Sequence, residues 1–224
     1  MIFDPIYFLI AAPGLLLALW ASYMTKHTFK KYSRLAARSG ITGAEAAQRM
    51  LAYEGVHDMK IEPVQGFLSD HFDPRTNTLR LSPQVYHSDS LAAIGVACHE
   101  AGHALQKAHG YAPLALRSVL VPVTSFGSQL AIPVFVIGAA VSMPFLMQLG
   151  FWLFIGVVAF SIVTLPVEWD ASARAKQLMV RSGIVTAAEM PHAGKVLNAA
   201  FLTYVAAAVQ AILTLLYLLM RTRN

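Results

Sequence analysis

The chain has 224 residues, 56% of them hydrophobic and only 13% charged, against about a quarter charged in an ordinary soluble domain. That composition excludes a wholly water-soluble globule and puts much of the chain in lipid. The net charge is +5, and Cys98 is the single cysteine, which excludes an intrachain disulfide scaffold and suits a reducing compartment.

Ile6 to Met24 is an uncharged run of 19 residues, long enough to cross a bilayer as a helix. No Lys or Arg precedes it and no small-residue cleavage site stands out, so it reads as an anchor, not a removable signal. Lys26, Lys30, Lys31, Arg34 and Arg38 follow with no acidic residue among them. Coming directly after an apolar run, these cations fit membrane topology better than a nucleic-acid arm, and the positive-inside rule puts them on the cytoplasmic side.

Thr42-Gly43-Ala44-Glu45 is a capping box that opens a helix towards Tyr53-Glu54, and Gly55 stops it. From Met59 to Ser82 the pattern changes to short pieces separated by turn residues. Asp73 to Asn77 reads as a turn, and Thr78 to Ser82 alternates like a half-buried strand. Such a strand either pairs by its edge with an extended peptide or covers one side of the next helix.

That helix is predicted over Leu91 to Lys107, behind the N-cap candidates Ser88, Asp89 and Ser90 and ahead of a stop at His109-Gly110. It carries His99-Glu100-Ala101-Gly102-His103. Two histidines four apart on a helix lie one turn apart on one face, so both imidazoles can reach one ion. The glutamate between them is placed to take a proton from water activated there. With 8 His and 6 Glu in the chain, chance gives roughly 0.008 such motifs.

Ser118 to Val167 holds 50 residues without Asp, Glu, Lys, Arg or His, which is two spans and a turn, with Pro144 near the turn. Pro122 and Pro133 are placed to kink the first span. A hairpin returns the chain to the face it left, so Glu168 comes back to the side of His99 and His103. Val167 to Arg181 then reads as a helix with Glu168, Ala171 and Ala175 along one face. Thr186-x-x-Glu189 is a second capping box. Ala199 to Met220 is a further apolar run before Arg221-Thr222-Arg223. Those two arginines oppose the positive-inside rule if the run spans, so it is either a span or a re-entrant or interfacial helix.

A catalytic zinc takes three protein ligands and keeps one position open. Glu168, returned by the hairpin, is the first candidate for the third place. His109 is the second, six residues after His103 at the metzincin spacing, although Gln106 stands where that pattern has its turning glycine. His27, His57, His71, His87 and His192 remain; His71 and His192 are the two worth testing as groups that polarise a substrate.

The stretches SDHFDPRTNTLRLSPQVY (Ser69 to Tyr86), CHEAGHALQ (Cys98 to Gln106), LPVEWDASARA (Leu165 to Ala175) and FLTYVAAA (Phe201 to Ala208) resemble the YugP-type family of bacterial membrane zinc metallopeptidases, over nearly the whole length. The layout is more distantly similar to the gluzincin membrane proteases of the HtpX and CAAX-protease kind. The resemblance implies a mainly α, integral membrane protein with about four hydrophobic helices and a small zincin-like α+β catalytic region. Its parts would be an anchor (1–24), the catalytic region (25–117), a transmembrane hairpin (118–167), the helix carrying the third ligand with a connecting helix (168–198), and a C-terminal membrane helix with a basic tail (199–224). It implies one Zn2+ per chain on His99, His103 and Glu168, Glu100 as general base, and a peptide or membrane-protein substrate. The expected setting is the bacterial inner membrane, with several passes through the bilayer, the catalytic region on the cytoplasmic face and no nucleic-acid partner. The distant relatives carry E-x-x-A-D, whose aspartate orients a zinc histidine; here Ala171 matches, Ser172 holds the aspartate position, and Asp170 stays outside the metal set.

Two other functions fit the same motif. In a non-catalytic zinc-binding scaffold the ligands serve structure alone, which leaves the intact Glu100 without a use. A site-2-type intramembrane protease needs H-E-x-x-H inside a lipid-spanning helix, whereas Asp89, Lys107 and His109 bound only a short apolar piece.

Overall fold

The computed structural model describes residues 5–66 and 69–222; Arg223 of the basic tail lies outside them. The chain forms two compact units. One comprises Met1–Ser22, Ala115–Pro166 and Leu202–Asn224; the other comprises Tyr23–Leu114 and Val167–Phe201.

The first unit draws on four helices: α1 (Pro5–Tyr32), α5 (Ala112–Ala140), α6 (Pro144–Arg181) and α7 (Met190–Thr222). Helices α1, α6 and α7 are each long and apolar enough to cross a membrane, and α5 makes a fourth if its two halves count as one span. Those halves, Ala112–Pro122 and Thr124–Ala140, meet at 48°, as expected where Pro122 removes a backbone donor. Large apolar side chains such as Leu9, Val119, Phe126 and Trp152 point outward, the reverse of a soluble protein and the arrangement that lipid favours. Inside, Phe135, Phe154, Val158, Tyr217 and Leu218 pack together, with the Tyr7 and Tyr217 rings edge to face at 5.1 Å.

The second unit holds α2 (Gly43–Tyr53), β1 (Lys60–Pro63), β2 (His71–Asp73), β3 (Thr78–Leu81), α3 (Pro83–Tyr86) and α4 (Leu91–Ala108). Its core gathers Met50, Leu79, Leu81, Ile94, Leu105, Met179 and Ile184 around α4. The helix starts predicted at Thr42 and at Ser88 to Ser90 form. The Thr42 side chain and Glu45 complete a reciprocal capping box on α2, and Ser90 Oγ accepts from the Ala93 amide at 3.2 Å on α4. Gly110 takes a φ of 64°, a left-handed turn that closes α4.

The sheet order is β1-β3-β2, with β1 parallel and β2 antiparallel to β3. The strand predicted at Thr78 to Ser82 is therefore the central one, with both of its edges taken, and among the described residues the outer edges are those of β1 and β2. Its near-complete burial shows why: alternation marks one covered face but does not say how many neighbours a strand has.

Helix lengths also differ from the sequence reading. The helix that contains the apolar run Ile6 to Met24 does not stop with it; α1 runs on through Lys26, Lys30 and Lys31 to Tyr32. The second hairpin span and the helix carrying Glu168 are one helix, α6, with Pro166 inside it. Pro166 costs the helix one donor without breaking it. Two hydroxyls in the preceding turns, Ser161 and Thr164, bond back to Val157 O and Phe160 O. Similarly, α7 starts at Met190, right after the second capping box, and absorbs the connecting helix.

Candidate metal centre

His99 and His103 lie on adjacent turns of α4, their rings 4.8 Å apart and nearly perpendicular. Glu168 approaches them from α6. The two helices come this close because Gly102 faces the backbone of Ala171: a β-carbon on Gly102 would sit 2.6 Å from Ala171 O. The Glu168 side chain is 1% exposed, and its Oε2 lies 3.1 Å from His99 Nε2 and 3.6 Å from His103 Nε2. One ligand atom from each residue falls within 4.8 Å of the other two.

The far side of each imidazole is also engaged. His99 Nδ1 is 3.1 Å from Ser172 Oγ, and His103 Nδ1 is 2.9 Å from Gln106 Oε1. Gln106 is fully buried, and its Nε2 donates to Val167 O at 2.7 Å and to Asp170 Oδ2 at 2.9 Å. Asp170 in turn accepts from Arg174 Nε at 2.6 Å.

Glu100 is half-buried beside this group. Burial alone would lower the His103 imidazole, but the hydrogen bond to Glu168 and the charges of Glu100 and Glu168, helped by Gln106, hold it above its ordinary value. Burial also pushes the Asp70 carboxyl up, against hydrogen bonds from the Ser82 amide (2.7 Å) and hydroxyl (3.2 Å), and the Glu100 charge adds to the rise.

Among the described residues, His99, His103 and Glu168 are the group that converges in this way. His109 does not join them; it caps α4, with its Nδ1 3.1 Å from Arg174 Nη1. His71 is exposed on β2 with its Nδ1 2.8 Å from Ser69 O, and the His192 ring packs 5.4 Å from that of Tyr32. The sequence reading had no role for Gln106 beyond noting the missing glycine. Its place three residues after His103, on the same helix face, was the available signal.

The donor set fits zinc: two imidazole nitrogens and one carboxylate oxygen, all unprotonated acceptors when they ligate. Both Nδ1 atoms are occupied and both Nε2 atoms turn to the shared carboxylate, the orientation that histidine ligands need.

A model of the family described as "Putative neutral zinc metallopeptidase" matches residues 7–223. The chain belongs to that family. It is 46% identical over 215 residues to the "Putative membrane protease YugP" of Bacillus subtilis (strain 168), covering 96% of this chain and 95% of the relative. No solved structure matches the chain. Family membership and the apolar helices fit a protein of the membrane, and the His99–His103–Glu168 group is compatible with the metal in the family's description.

Proposed function

We propose that this chain is a membrane-anchored zinc metalloendopeptidase that holds one Zn2+ on His99, His103 and Glu168. The observation that carries the reading is the convergence of those three ligand atoms with Glu100 alongside. Bound zinc supplies a Lewis acid that polarises a carbonyl and acidifies water. The protein's own residues supply the rest. Glu100 follows His99 by one position, so its side chain points about 100° away from that ligand and stays free to handle protons. It takes a proton from the attacking water and passes it to the leaving amine as the peptide bond breaks. Glu168 and the two histidines make a zincin-like, gluzincin-like ligand set on two helices.

The substrate in this reading is a peptide or a membrane protein. An extended segment would add to the free edge of β2, the edge strand that packs beside α4. The relative's name, a membrane protease, supports the same class. The setting we propose is the bacterial inner membrane, crossed several times, with the exposed cations Lys26, Lys30, Lys31, Arg34 and Arg38 and the metal centre on the cytoplasmic face. Nucleic acid has no part in it.

Glu100→Gln tests the proposal. It keeps size and hydrogen bonding but removes the basic carboxylate. Casein or peptide cleavage in detergent should fall by about 10² to 10⁴, while folding and zinc content persist. A variant that keeps over a third of the wild-type rate would show that Glu100 is not the base. Chelator-resistant cleavage by the wild type would refute the zinc chemistry.

A further inference from the structure

We propose that Gln106 is a positioning residue that sets the orientation and proton placement of His103, and that Asp170 and Arg174 hold Gln106 in place to do so. This rests on the zinc reading above, but it concerns contacts among the protein's own side chains and backbone.

The argument is one of hydrogen-bond roles. A glutamine amide offers one acceptor oxygen and one nitrogen with two donors. Gln106 Nε2 lies 2.7 Å from Val167 O and 2.9 Å from Asp170 Oδ2. A carbonyl and a carboxylate paired with arginine can only accept. Turning the amide over would place its oxygen against two acceptors in a fully buried position, with no proton between them. The amide orientation is therefore determined, and Oε1 faces His103.

That oxygen carries no proton, so His103 Nδ1 must donate across the 2.9 Å contact. A neutral imidazole has a single N–H. With it committed to Nδ1, the Nε2 lone pair points to the Glu168 side, where a ligand nitrogen belongs. His99 is different, because its Nδ1 meets the Ser172 hydroxyl, which can donate or accept. One histidine is thus preset by a four-residue relay (Arg174, Asp170, Gln106, His103) and the other is adaptable. Val167 belongs to the same turn as Glu168, so the Gln106 bond to Val167 O also ties the glutamate's own backbone to α4.

The test uses full-length protein in detergent, with Gln106→Met removing the amide at similar size. Zinc affinity, read by competition with a chromophoric chelator, should fall about 10- to 100-fold. In imidazole 15N spectra the His103 Nδ1–H should be protected from solvent exchange in wild type and lose that protection in the variant. A purely structural role would lower thermal stability without singling out that proton. If Gln106→Met keeps both the protected proton and an affinity within threefold of wild type, the proposal is overturned. If Gln106→Met fails to fold, Asp170→Ala takes its place, because it removes the acceptor that holds Gln106 Nε2; a several-fold loss of affinity is expected, and an unchanged affinity counts against the relay. A wild type that binds no zinc would sink the zinc reading alone, because the His103 proton of metal-free protein still reports on Gln106.

Discussion

Replacing Gly102 by alanine should loosen the metal centre without touching any of its polar groups. The added methyl would lie 2.6 Å from Ala171 O and 3.2 Å from Ala171 C and Cα, against an ordinary contact of 3.4 Å, a deficit of about 0.8 Å. Both partners are helical backbone and cannot rotate aside, so α4 and α6 must separate or slide. Ala171 stands between Glu168 and Ser172, and any shift of that turn carries both away from His99, now 3.1 Å from each. Ligand distances around a metal tolerate only about ±0.2 Å, so zinc affinity should drop by one order of magnitude or more. Alanine gains about 0.5–1 kcal/mol of helix propensity, while overpacking costs about 1–3 kcal/mol. A net loss of about 1–2 kcal/mol, or roughly 2–8 °C in Tm, is expected. Gly95→Ala on the same helix is the control. Its methyl would meet Ala193 O at 3.4 Å and Ala193 Cβ at 3.6 Å, which is ordinary contact, so stability should hold or rise and zinc binding should persist. Thermal unfolding with and without zinc, together with chelator competition, measures both. A Gly102→Ala protein with wild-type zinc affinity and a Tm matching that of Gly95→Ala would refute the close-approach argument.

Glu168→Ala should strip bound zinc while His109→Ala leaves about one per chain by metal analysis; the reverse result would move the ligand set to the metzincin pattern. The Asp73 carboxyl is held well below its ordinary value of 3.8, first by its hydrogen bond from Arg80, then by the Arg75 amide and the Thr76 hydroxyl. A depressed acid stabilises the fold above its ordinary value and loses that contribution as pH falls through the folded one. From about pH 4 downward wild type should therefore lose stability more steeply than Asp73→Asn, and parallel acid melts would contradict this. For the membrane face, single cysteines at the exposed Ser39 and Thr76 should resist an impermeant maleimide in intact cells, while one at Gln148 labels. Cys98 is fully buried, and its thiol is pushed up by that burial, so its background should be low. Ready labelling at Thr76 from outside would invert the proposed topology.

Much of the fold was legible because it follows from local rules. Capping boxes, apolar run lengths and the i, i+4 histidines are properties of a few adjacent residues, and α2 and α4 start at the predicted caps. Helix ends inside or beside lipid were less legible. Proline ends helices in water by removing a backbone donor, yet Pro166 sits within α6; and an apolar run ends at its first charges while its helix need not, so Lys26, Lys30 and Lys31, good helix formers, prolong α1. In an apolar setting an unpaired backbone group costs more, so the helix persists past residues that would otherwise stop it. The neighbours of β3 were not legible either, since a parallel partner such as β1 leaves no turn signature between the strands.

The convergence of His99, His103 and Glu168 could be read because metal chemistry restricts which residue types serve and at what spacing. What supports them could not, because a hydrogen-bond partner is chosen by reach and not by sequence distance. Ser172 stands 73 residues from His99, and Asp170 stands 64 from Gln106. Judged by type, Ser172 looked like the loss of an orienting aspartate, and Asp170 looked misplaced by two positions. In the fold Ser172 contacts His99 directly, while Asp170 contacts Gln106, which contacts His103. A hydroxyl is neutral and a carboxylate at one remove is screened by Arg174, so neither imidazole receives a full negative charge on its outer nitrogen. Among the described residues, the carboxylates whose charges act on His103 are Glu168 and Glu100, so a dication held there would be less neutralised than it would be with an aspartate on His99. A less neutralised zinc acidifies water more strongly. Ser172→Asp should therefore tighten zinc binding while shifting the acid limb of peptide hydrolysis to higher pH. An unmoved pH profile with tighter zinc would show that the outer charge acts on affinity only.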